Sequence, residues 1–267
     1  MSSWFSSEAE AVYPTVSAKP VATGVANEEA TVAGLTEDLK AKLSEALAMF
    51  TEFQSSAPET WESCFTETKG VKGSRKFVEG QDLAVIRCET VIPCHIVDVL
   101  AFVSDTENIK KSDEMLESSE VLSKLSDHSY IALDKVKGVW PVSPRDFLDM
   151  YHWRVLDDGS VIIFHFSVVD DALKPADTTE AVVRGNMLCM GYLLRTSEDG
   201  QGTDVRMIFN SNPGGSLPTF MVNQVVLSQP TALVKMKEML MAKKEAGGMK
   251  DMTASATYED FLAVMKK

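Results

Sequence analysis

The chain has 267 residues and a mass of 29.3 kDa, enough for one large domain or two small ones around a sizeable apolar core. Its 45% hydrophobic and 24% charged residues exclude a wholly disordered chain and a membrane bundle. With 26 basic against 39 acidic side chains the net charge is −13, which argues against nucleic acid as a partner, because phosphate binding needs a dense basic surface and basic pairs such as Lys110–Lys111 are isolated; the same charge weakens electrostatic docking to anionic membranes.

The first 34 residues are rich in Ser, Ala, Val, Thr and Glu, interrupted by Pro14, Pro20 and Gly24, with no sustained period, and are predicted to form a mobile leader. They show neither the basic nor the apolar part of a secretory signal. Thr36 is placed to cap a helix whose stripe is Leu39, Leu43, Ala46, Leu47 and Phe50, and Pro58 ends it. The period then changes to two. Strands are predicted from Trp61 to Glu67, Val71 to Val78 and Leu83 to Ile92, joined by Lys69-Gly70 and by the turn at residues 79–82. Pro93 opens a short helix to Val103, and the polar stretch from Asp105 to Asp127 is expected to be helical in part. The apolar run from Val91 to Val103 covers thirteen residues and holds His95 and Asp98, too short to cross a bilayer.

Six more strands are predicted: Ser129 to Lys137, Asp146 to Leu156, Ser160 to Asp170, Glu180 to Leu188, Met190 to Ser197 and Thr203 to Asn210. A long helix follows Pro213-Gly214-Gly215-Ser216 and runs to about Ala246, with Val222, Val225, Val226, Leu233, Met236 and Leu240 on one face. Residues 247–267 form a tail with a turn or two of helix around Tyr258 to Met265. The fold class is therefore α+β: an antiparallel sheet of about nine strands with a terminal helix to cover it. Four scattered cysteines, Cys64, Cys88, Cys94 and Cys189, fit neither a disulfide framework nor zinc spacing, so no metal and no cofactor is expected and a reducing, cytoplasmic setting fits.

The segments GVWPVSPRDF, IIFHFSVVDD, VVRGNM and NPGGSLPTFMVNQVVLSQP, in this order, resemble the START family of StAR-related lipid-transfer domains over roughly Leu35 to Ala246. The resemblance implies a helix-grip fold: a curved sheet gripping the C-terminal helix, with one lipid in a tunnel between them. It also implies a carrier without covalent chemistry, whose partners are a lipid ligand and, transiently, a membrane. By alignment with family members Asp134, Tyr151, His165 and Met207 line the tunnel; period-2 alternation puts Asp134, Tyr151, His165 and Arg184 on strands with a plausible inward face. Val222, Val225 and Val226 supply the helix wall. If buried, Asp134 must be protonated or paired with Arg184 or His165.

Trp140, in Val139-Trp140-Pro141, falls in the loop that lies at the tunnel mouth in the family, where indole suits a membrane interface; the alternative is an indole packed on the C-terminal helix. Gly214 and Gly215 are hinge candidates before that helix, or a plain strand-to-helix turn. Because Ser216 stands where the family often has an aromatic, membrane contact there shifts to Leu217, Phe220 and Met221. Family members that bind sterols and phospholipids tend to carry an arginine at the Tyr151 position, paired with an acid where Ala132 stands. With both charges missing, a neutral or hydroxyl-bearing head group is favoured. Two other functions stay open: a helix-grip cyclase or hydrolase using Asp134, His165 and Tyr151, and a lipid-sensing scaffold.

Overall fold

The computed structural model describes residues 16, 22, 24–25, 28–81, 83–176, 181–215 and 219–266, without the side chains of 219–224. The helices are α1 (Glu28–Val32), α2 (Glu37–Ser55), α3 (Ile96–Val103), α4 (Thr106–Ser112), α5 (Thr219–Glu245) and α6 (Tyr258–Met265). The strands are β1 (Glu62–Thr68), β2 (Val71–Lys76), β3 (Val85–Ile92), β4 (Leu116–Lys124), β5 (Ser129–Val136), β6 (Arg145–Val155), β7 (Val161–Ser167), β8 (Val183–Arg184), β9 (Asn186–Thr196) and β10 (Thr203–Asn212). One sheet runs β1-β2-β3-β10-β9-β7-β6-β5-β4, every neighbour antiparallel, and the two residues of β8 lie parallel to the start of β6.

Alternation along the strands splits the core in two. On one face Ile162, Phe164, Cys189, Leu193 and Ile208 pack beneath α2, whose Leu43, Ala46, Phe50 and Phe53 are buried there. The predicted Thr36 cap is present, its hydroxyl accepting from Leu39 N at 3.3 Å. On the other face Val161, Ile163, Val205 and Met207 meet α3, α5 and α6, with Leu233, Met236 and Leu240 of α5 almost wholly buried. This is the helix-grip arrangement the sequence implied. Each strand thus sends every second side chain toward α5, and the functional residues are drawn from that set.

Three segments differ from expectation. Residues 116–124 form edge strand β4 rather than helix; only the first part of the polar stretch is helical, as α4. The expected strands at 180–188 and 190–197 are instead the two-residue β8 and the long β9, with the break at Gly185, where a Cβ would sit 2.3 Å from the Phe147 ring. The described end of the leader is packed: Val25 bridges Leu156, Asp157 N donates to Gly24 O, and Thr31 of α1 is buried. The tail packs as well, through α6, whose Phe261 is 2% exposed.

Candidate functional site

Between the α5 face of the sheet and α5 itself lies a cavity of about 160 Å³. Four residues of β6 at spacing two, Arg145, Phe147, Asp149 and Tyr151, line it from mouth to floor. Asp134 and Val136 of β5, His165 of β7, Met187 and Met190 of β9, and Phe209 and Ser211 of β10 continue the wall. Val225, Ser228 and Gln229 of α5 close the side opposite the sheet, and Val142, Ser143 and Pro213 form the mouth. Past Tyr151, His165 and Met190 a second space of about 60 Å³ continues toward α3, beside Tyr130 and Tyr192.

The floor is one rung of the sheet: Tyr130 pairs with Tyr151, Tyr151 with His165, and His165 with Met190. The three rings stack nearly parallel, at 4.8 Å from Tyr130 to Tyr151 and 4.4 Å from Tyr151 to His165. Ala132 occupies the next inward position on β5 and faces Asp149. Its methyl group leaves room for the polar atoms to converge. The Tyr151 hydroxyl donates to Asp134 Oδ2 at 2.5 Å. His165 Nδ1 lies 2.7 Å from Asp149 Oδ2, and the Ser167 hydroxyl donates to Asp149 Oδ1 at 2.7 Å.

Asp149 is fully buried with both oxygens bonded. Asp134 is 5% exposed, and its Oδ1 has no hydrogen-bond partner among the described residues. Burial first, then the Asp149 charge, raises the Asp134 pKa above the ordinary carboxylate value, while His165 pulls the other way. Burial, with Asp134 and Tyr130 nearby, pushes the Tyr151 phenol well up, so Tyr151 remains a donor. One ligand atom from each of Asp134, Asp149 and His165 lies within 4.8 Å of the others, so these are the residues that can hold a metal ion.

The floor is therefore not the uncharged surface expected from Tyr151 and Ala132. The acid missing at Ala132 is present on the neighbouring strand as Asp149, a residue the sequence reasoning passed over. The signal was available: Asp149 stands two positions before Tyr151 and shares its face.

The structure brings Asp134, Tyr151 and His165 together, with Val225 also on the cavity wall. Arg184 lies elsewhere, in a bidentate pair with Asp146 at 2.7 and 3.1 Å. Met207 is buried in the core, and Val226 borders a groove with Cys64 and Phe65 on the side of β1. The side chains of Phe220, Met221 and Val222, and the whole of Leu217, lie outside the described residues.

At the mouth Trp140 is 92% exposed, which removes the alternative of an indole packed on the helix, and Pro141 beside it is exposed too. The opposite loop holds Gly214 and Gly215 at φ +65° and +62°, and a Cβ on Gly214 would meet Arg184 O at 2.9 Å. Arg145 ties the two loops together, donating to Ser143 O at 2.5 Å on one and to Pro213 O at 3.4 Å and Gly214 O at 3.3 Å on the other. No carboxylate pairs with this guanidinium among the described residues.

The START domain family model matches residues 41–245. A search of curated proteins returned no match. Among solved structures, human StAR-related lipid transfer protein 5 is similar with a TM-score of 0.67 at 20% identity, over 78% of this chain and 99% of that one. Human STARD10 gives 0.61 at 21%, over 74% and 80% respectively. A STAR-related lipid transfer protein from Xanthomonas axonopodis gives 0.56 at 23%, over 69% and 99%. At such identities these likenesses speak for the fold.

Proposed function

Because the chain belongs to the START domain family, we propose that it takes up one lipid in the cavity beneath α5 and carries it between membranes. The observation that carries this proposal is the cavity itself, apolar along Phe147, Met187, Met190 and Phe209, with polar groups at its floor and mouth and on α5 at Ser228 and Gln229. Withdrawing an alkyl chain from water supplies the affinity, at about 0.8 kcal/mol per buried CH₂. The polar floor selects the head group, and a hydroxyl-bearing one meets both donor and acceptor atoms there. Its neighbours' names, which say lipid transfer of those proteins, point the same way. Four free thiols suit work in the reducing cytoplasm.

Cavities that enclose drug-sized ligands measure roughly 300–1,000 Å³. At about 160 Å³ the closed cavity is smaller than such a guest, so uptake requires the mouth to part. The Arg145 contacts are what must yield, and α5 or the 213–215 loop is what must move. Trp140 provides the membrane contact, since an indole exposed to water gains by entering the lipid interface. Catalysis forms no part of the proposal.

Native mass spectrometry of the freshly purified chain, followed by lipid extraction, is expected to find one lipid per protein. Recovery of apoprotein only, with no uptake from vesicles, would sink the carrier function. Trp140→Ala is expected to slow vesicle-to-vesicle transfer severalfold while shifting Tm by less than about 1 °C, because a side chain this exposed has little packing to lose.

A further inference from the structure

We propose that the lipid's polar end is a protonated amine beside a hydroxyl, as in a long-chain amino alcohol, held by Asp134 and His165 at the cavity floor. This rests on the carrier function above and names its ligand class. Two polar atoms there have no hydrogen bond among the described residues. Asp134 lines the cavity, and its Oδ1 is buried and accepts none, the Ser119 hydroxyl opposite on β4 lying near the carboxyl. His165 uses Nδ1 on Asp149, and its Nε2 forms no hydrogen bond among the described residues.

Of the nearby hydroxyls, Tyr151 donates to Asp134 and Ser167 to Asp149, and that of Ser119 on β4 lies against the Asp134 carboxyl. An ester, a ketone or a phosphate brings only acceptors, and the two carboxylates offer it nothing. A quaternary ammonium brings charge but no N–H. The floor is also short of positive charge: two carboxylates stand against at most one imidazolium. The two cations on the cavity wall are engaged nearer the mouth, Lys137 with Glu114 O and Arg145 with the loop carbonyls. An ammonium on Asp134 Oδ1 supplies both the missing donor and the missing charge. The adjacent hydroxyl can donate to or accept from His165 Nε2, so it fits either state of the ring.

The test is native mass spectrometry and thermal shift on the full chain with four lipids of one alkyl length: a 2-amino-1,3-diol, its N,N,N-trimethyl derivative, the 1,2-diol and the methyl ester. The free amine is expected to bind at least about tenfold tighter than the trimethyl compound and the ester. Asp134→Asn is expected to cut that preference below about threefold, with His165→Gln as the second variant should the first not fold. Equal binding of the ester or the trimethyl compound overturns the proposal while leaving lipid carriage intact. Binding of none of the four overturns both. A rise in Tm with zinc chloride alone that blocks the amine also overturns it, by making the trio a metal site.

Discussion

Asp134 is where burial and charge act most directly on one side chain. Its carboxyl is held above the usual range by desolvation and by Asp149, so the folded chain keeps a proton that the unfolded chain gives up. The stability conferred by that proton is whole below about pH 4, the ordinary aspartate value, and is lost as pH rises through the higher folded value. Asp134→Asn keeps the bond from Tyr151 and carries no charge. Melts from pH 4 to pH 8 are expected to show its Tm gaining on the wild type as pH rises, and a constant difference across the range would contradict this. Asp134, Tyr151 and His165 were read from strand alternation together with the family resemblance, whereas Arg184, read from alternation alone, pairs with Asp146 instead. The place of Arg145 at the cavity mouth was not legible, because it depends on Pro213 and Gly214, nearly seventy positions away in the chain.

At the level of elements, what was legible followed periodicity and caps, and what was not had neither. α2 declares itself by Thr36, which accepts from the first-turn backbone, and the structure adds Thr257 in the same role for α6. β4 escaped because it is an edge strand: only β5 pairs with it, one face meets water, and Ser and Glu dilute the alternation of Leu116, Val121 and Leu122. α6 also shows how a short tail becomes part of the domain. Its Tyr258 hydroxyl meets His128 Nε2 at 2.8 Å, the His128 ring stacks on Trp153 at 4.4 Å, and Phe261 is buried. Urea unfolding is expected to show a loss of about 3 kcal/mol for Phe261→Ala and about 1 kcal/mol for Tyr258→Phe. Values near zero for both would mean that α6 rests on the domain without supporting it.

For the whole molecule the dominant number is the net charge of −13. A chain this acidic is repelled by anionic bilayers, and the repulsion is screened over about 10 Å at 0.1 M salt. Transfer to anionic vesicles is expected to be severalfold slower than to neutral ones at low salt, with the gap closing as salt is added. Transfer insensitive to salt would place the slow step in release of the mouth rather than in docking. The contrast between Trp140, 92% exposed, and Trp61 and Trp153, at 8% and 2%, makes the chain its own optical reporter. In a Trp4→Phe chain, acrylamide should quench the Trp140 emission selectively, and brominated acyl chains should darken that same signal only while the protein is seated on a vesicle, so that residence time can be read without attaching a dye.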